Sequence, residues 1–276
     1  MQELAAGKLR KMLTEHDETV RYTMPLGDNR IDMAPLLGNP VRLEFSGEIN
    51  CIHCDRLTKK SFNQGYCYPC FQRLAACDSC IVSPEKCHYD AGTCREPEWG
   101  EANCMIDHIV YLANTSGLKI GITRHSQVPT RWMDQGAVQA LPIFRVQTRH
   151  QSGLVEIAFK NFVNDRTAWQ TMLKGLVDEL DMPAERERLY EQTAPAIDAL
   201  QQQFGLQAIS RIPEQAERRF QYPVVEYPTK VKSLNLDKDP VVEGTLMGIK
   251  GQYLMFDTGV INMRKYGGYH IAISAQ

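Results

Sequence analysis

The chain has no stretch near the eighteen or so consecutive apolar residues that a membrane-spanning helix needs. Its first residues, MQELAAGKLRKMLTEHDE, lack the apolar core of a signal peptide. These two absences predict a cytoplasmic protein with no membrane partner. Cysteine is missing from residues 1–50 and 105–276: all nine lie between Cys51 and Cys104. An odd count in a reducing compartment argues against a complete disulfide framework and leaves the thiols for metal. An excess of one charge is also lacking, with 31 Lys+Arg against 33 Asp+Glu and a formal net charge of −2. Internal repeats and low-complexity tracts are absent as well.

What is present supports an ordinary globular protein. At 276 residues and 43% hydrophobic content, the chain can fold as one large or two to three small domains. Its charge is uneven. Residues 105–174 carry eight Lys/Arg against four Asp/Glu, residues 175–215 carry three against eight, and residues 216–276 carry eight against six. The basic centre suits contact with phosphate, and so with a nucleic acid, although surfaces without such a role reach the same balance.

The cysteines carry the strongest motif. Cys51-x2-Cys54-x12-Cys67-x2-Cys70 has the spacing of a four-thiolate zinc site, two CxxC turns brought together by an intervening hairpin. The series continues as Cys77-x2-Cys80-x6-Cys87-x6-Cys94-x9-Cys104. Cys77, Cys80, Cys87 and Cys94 are the preferred ligands of a second zinc, which leaves Cys104 unassigned. An iron–sulfur cluster is the alternative occupant, because four cysteines with no required histidine also suit [4Fe–4S] ligation. Phe62, Tyr66, Tyr68 and Phe71 interleave with Lys59, Lys60 and Arg73 around the first site, either as a stacking surface for bases or as the module's own small core.

Around this block, residues 1–18 read as a short amphipathic helix. Residues 19–50 read as strands broken at Leu26-Gly27-Asp28-Asn29 and Leu37-Gly38-Asn39-Pro40. Two apolar runs, Ile109–Ala113 and Leu118–Ile122, flank Asn114-Thr115-Ser116-Gly117 and predict a β-hairpin. A short helix over 129–135, an edge strand over 141–146 and a helix over 153–163, preceded by Ser152, complete a β-β-α-β-α order. Asp181 opens a charged helix to about Phe204, read as a connector, and the last sixty residues read as a small β-barrel or curled sheet. Lys250, Arg264, Lys265, Tyr266 and Tyr269 offer a second contact surface there.

The hairpin, with Ile109-Val110-Tyr111 and Lys119-Ile120-Gly121-Ile122-Thr123, resembles the GIY-YIG nuclease superfamily in its Lys-Ile-Gly branch, over roughly residues 108–175. The whole arrangement, with cysteines in front, also resembles an uncharacterised bacterial family of unknown function. The first resemblance implies that Tyr111 helps deprotonate water, that Arg131 steadies the phosphate and that Glu156 holds one Mg²⁺ or Mn²⁺, with Lys119 or His125 assisting. Two departures bear on activity. Lysine stands where tyrosine is usual, and the asparagine that usually follows the glutamate has no match, since Ala168 lies at that distance and Asn161 and Asn164 lie nearer. Each residue also has a plain structural reading, for example Tyr111 as a core aromatic and Glu156 as an acid favoured near a helix start.

The expected fold is α+β. It comprises N-terminal strands (1–50), a zinc-ribbon-like cysteine module (51–104), a GIY-YIG-like domain (105–175), a helical connector (176–215) and a small C-terminal β-barrel-like domain (216–276) that packs with the first segment in one arrangement. The expected function is nucleic-acid interaction, as a divalent-metal-dependent endonuclease. The alternatives are a non-catalytic adaptor binding RNA, DNA or a protein partner, and a metal or redox sensor.

Overall fold

The computed structural model describes residues 1–163 and 166–276. Its first residues form strands β1 (Gln2–Lys8) and β2 (Leu13–Glu15), which corrects the amphipathic helix expected over residues 1–18. The cause lies at the other end of the chain. β1 pairs antiparallel with the strand Tyr269–Ala275, Gln2 opposite Ala275 and Lys8 opposite His270, so sheet pairing overrides a weak helical periodicity. The hairpin of β3 (Arg21–Leu26) and β4 (Asn29–Asp32) turns where expected, with Gly27 at φ +57°.

Next comes β5 (Pro40–Ile49), with Val41 and Leu43 fully buried. The cysteine region holds α1 (Tyr68–Arg73), several 3-10 turns and α2 (Pro97–Asn103). Strands β6 (His108–Asn114) and β7 (Leu118–Arg124) form the expected hairpin, followed by α3 (Thr130–Asp134) and β8 (Gln139–Val146). β8 lies inside the sheet, because β9 (Ile209–Arg211) and β10 (Arg218–Arg219) pair along its outer side. Pro142 is therefore not on an edge. The β6–β8 register slips between Val110 and Tyr111, and this bulge accommodates the proline opposite Tyr111.

Helix α4 (Arg149–Phe159) begins earlier than expected. Thr148 caps it in a capping box, accepting from the Gln151 amide at 3.2 Å while the Gln151 side chain accepts from the Thr148 amide at 3.1 Å. Glu156 thus sits two turns into the helix rather than at its start. The short α5 (Trp169–Leu173) precedes α6 (Met182–Phe204), capped as expected by Asp181. Far from linking two bodies, α6 is a layer of the central core. Leu189, Tyr190 and Ile197 are buried with Val110, Leu141 and Phe144, and the Tyr190 hydroxyl donates to the Ile143 carbonyl.

The C-terminal strands β11 (Val241–Lys250), β12 (Tyr253–Phe256), β13 (Gly259–Asn262) and β14 (Tyr269–Ala275) close no barrel. They join the N-terminal strands in one open sheet of order β1-β14-β5-β11-β12-β13. β5 lies between β14 and β11 and keeps the last strands from meeting. β6 stitches the molecule together. Ile109, Tyr111 and Ala113 enter the core shared with this terminal sheet, whereas Val110 and Leu112 enter the core under α4 and α6.

Candidate functional site: a cationic cleft beside two cysteine groups

Strand β7 is a sheet edge, and its two faces differ. Leu118, Ile120 and Ile122 pack toward the helical core. On the other face Lys119, Gly121 and Thr123 line a cleft of about 610 Å³. Arg131, Asp134 and Gln135 of α3, Arg149 and Glu156 of α4, Trp99 and Asn103 of α2, Cys104, Arg124, Lys11 and Arg264 also line it. Six cationic side chains (Lys11, Lys119, Arg124, Arg131, Arg149 and Arg264) thus surround two acids, Asp134 and Glu156. Asp134 is held by ion pairing with Lys11 and by the Gln252 amide at 2.9 Å.

Close approaches of backbone assemble these walls. A Cβ on Gly121 would lie 2.7 Å from the Tyr111 ring, so the residue opposite that tyrosine must be glycine. A Cβ on Gly153 would lie 2.6 Å from the Glu85 amide nitrogen and 2.6 Å from Pro84 Cβ. The cysteine module therefore docks directly on the helix that carries Glu156. The terminal sheet reaches α3 through Lys11, Gln252 and Gly251, whose added Cβ would meet the Asp134 carbonyl at 3.1 Å.

The residues expected to act together are brought together unequally. Lys119, Arg131 and Glu156 line the cleft. Tyr111 lies behind its wall, fully buried, donating its hydroxyl to Gln135 at 2.7 Å and packing on Trp132 at 5.6 Å. Burial pushes its hydroxyl up to about 12, against the opposing pull of the adjacent Arg131. A phenol in that state donates hydrogen bonds and does not take up a proton at neutral pH. His125 starts a 3-10 turn after β7 and is not among the lining residues. Asn161 is exposed in the turn after α4, Ala168 caps α5, and Asn164 lies outside the described residues.

The first cysteine group converges as its spacing implies. The ligand atoms of Cys51, Cys54, Cys67 and Cys70 all lie within 4.8 Å of one another, and the Cys54 and Cys67 sulfurs are 3.7 Å apart. A metal bound tetrahedrally at ~2.3 Å sets its sulfurs about 3.8 Å apart, so this group could hold a metal ion such as zinc. Its two halves differ in build. Cys51 and Cys54 flank a turn in which Asp55 takes φ +59°, but Cys67 caps α1 and Cys70 lies in its first turn, so the second pair is on a helix. Burial raises the Cys51 thiol, yet amides of Cys54, Cys67 and His53 outweigh it and bring it down to about 6. His53 itself is exposed.

The later cysteines sort differently from the expected set. Cys77 packs with Cys51, Cys67 and Cys70 rather than with Cys80, Cys87 and Cys94. Cys104 joins those three in lining one small cavity. The surrounding aromatics mostly form a local core: Phe62 lies 5.7 Å from Phe71 and 5.3 Å from Tyr68, and of the four rings only Tyr68 reaches half exposure. Among the residues read as a C-terminal contact surface, Lys250, Tyr266 and Tyr269 are buried; Lys250 lies over the Tyr222 and Tyr227 rings. Arg264 instead belongs to the cleft. Sequence reasoning missed Arg149, Arg124, Lys11 and Gln135, which come from four separate segments and share no local pattern.

Fold and site together define an α+β protein in which a four-thiol metal-binding group stands beside a cationic cleft. The chain belongs to the DUF2797 family of proteins of unknown function, whose model matches residues 38–271. No curated protein and no solved structure matches it. No helix among the described residues is long and apolar enough to cross a membrane.

Proposed function

We propose that the cleft binds the phosphodiester backbone of a nucleic acid and that the protein is a zinc-containing endonuclease of GIY-YIG type. The observation that carries this reading is the cleft's charge: six cationic residues gather in one concavity of a chain whose formal net charge is −2. Low-dielectric walls lined by one sign of charge focus the field on an anionic ligand. Lys119 and Arg131 contact the non-bridging oxygens, Arg131 as a planar fork and Lys119 as a point charge. Tyr111 acts through others, holding Gln135 and flanking Arg131.

Glu156 is the metal residue in this reading. Mg²⁺ is commonly bound through one or two carboxylates together with waters and substrate phosphates, and a lone glutamate on the cleft wall fits that donor set. When bound, the cation supplies Lewis acidity at the phosphoryl oxygen. A second reading, a non-catalytic nucleic-acid adaptor on the same scaffold, is favoured by the burial of Tyr111, which leaves no tyrosine to activate water.

The test is incubation of the full chain with labelled single-stranded, duplex and branched DNA and RNA, with Mg²⁺ or Mn²⁺. The expected result is cleavage lost at least a hundredfold in Glu156→Gln with binding retained, and binding weakened about tenfold in Arg131→Ala. Binding without cleavage on any substrate selects the adaptor. Binding indifferent to Arg131→Ala and Lys119→Ala removes the cleft from either reading.

A further inference from the structure

Cys80, Cys87, Cys94 and Cys104 come from four separate turns and meet around one cavity, closed over by Trp99 and Tyr89. All four are free thiols. The cavity holds about 10 Å³, room for roughly one water-sized sphere. A tetrahedral zinc draws its sulfurs to ~2.3 Å from the ion and leaves no such room. Cys51, Cys54, Cys67 and Cys70 meet the zinc criterion of mutual approach within 4.8 Å; no trio drawn from these four does. In a cubane cluster each thiolate binds a different iron, so the sulfurs stand farther apart around a shared centre.

A second observation is the charge beside them. Arg149 donates to the Ile81 carbonyl at 2.6 Å, but its Nε is buried without a hydrogen-bond partner. Burial pulls this guanidinium below the ordinary arginine value, and Cys104 and Cys80 are among the groups that oppose the fall. Its backbone N–H donates to the Cys104 carbonyl at 2.7 Å, which ties it to the cavity wall. A buried cation needs an anion, and a thiolate-ligated cluster is one.

The competing arrangement is Asp78, Cys80 and His88, whose ligand atoms also converge. There the Asp78 carboxylate already receives Arg95 Nε at 2.8 Å and the Ser79 amide at 2.6 Å. A guanidinium thus occupies the ground a metal cation would need.

We propose that Cys80, Cys87, Cys94 and Cys104 ligate a [4Fe–4S] cluster. It lies one wall from the cleft, since Cys104 and Trp99 line both. The assignment stands apart from the nucleic-acid reading and survives its failure.

The test is metal and acid-labile sulfide analysis of the full chain, isolated without oxygen from cells supplied with iron, with visible absorbance and Mössbauer spectra. The expected content is about four iron and about four sulfide per chain together with about one zinc. Cys94→Ser and Cys104→Ser lose the iron and keep the zinc, and Cys77→Ser keeps both. About two zinc and no iron overturns the proposal, as does a two-iron cluster. Iron retained in Cys104→Ser but lost in Cys77→Ser overturns the ligand set. Should the serine variants fail to fold, the wild-type stoichiometry alone decides between cluster and zinc.

Discussion

The two cysteine groups are built by different means. Cys51, Cys54, Cys67 and Cys70 sit on one turn and one short helix within twenty residues of sequence, and their geometry is local. Cys80, Cys87, Cys94 and Cys104 are spread over irregular turns and meet only because the module docks on α4 through Pro84, Glu85 and Gly153. A short-range metal site announces itself by spacing, and one assembled by docking does not.

Removing metal from the first group should have the largest effect. A small module with few buried apolar residues owes its folding to metal, on the order of 10 kcal/mol for a structural zinc. Cys67→Ser or a strong chelator is expected to unfold residues 51–74, read as rapid proteolysis there; an unchanged digest would make the group ordinary core.

Gly153→Val should separate the groups. Its side chain collides with backbone at Glu85, and about 3 kcal/mol of docking is expected to be lost. Metal at the second group falls while zinc at the first persists, which element analysis of the purified variant reads directly. Equal loss from both would mean the two groups fold as one.

Acid should sharpen the same contrast through His108. Burial lowers this imidazole to about 4, with Nδ1 against the Ile106 carbonyl at 2.7 Å. Its folded value lies below its unfolded value, so the unfolded state binds more protons between about pH 6.5 and 4. Stability therefore declines as pH falls through that window, by about 2 kcal/mol. His108→Gln should flatten the decline in denaturant titrations at pH 7 and 4.5; an identical slope would assign the acid sensitivity elsewhere.

The smallest effect belongs to Cys77→Ala. Cys77 is buried beside the first group without being one of its four converging ligands. About 1 kcal/mol of packing should be lost with both metal contents unchanged.

The sequence by itself determined what depends on neighbours along the chain. The four-thiol spacing of Cys51 to Cys70, the β6–β7 hairpin at Asn114–Gly117, the Asp181 cap of α6 and the turn at Gly27 are each set by a few consecutive residues. Even α3, a short helix after Pro129, could be read from proline and glycine placement. The tertiary structure decided what depends on partners distant in sequence. β1 became a strand because the last strand lay open beside it, and α6 became a core layer because its apolar face met β8. Tyr111 was withdrawn from the cleft because Gly121 left space for its ring. Cys104 replaced Cys77 because docking on α4 turned it toward Cys80, Cys87 and Cys94. The cleft's charge belongs to this second kind: Lys11, Arg149 and Arg264 lie far apart in sequence, and no local pattern encodes a field that exists only once three separate surfaces close around it.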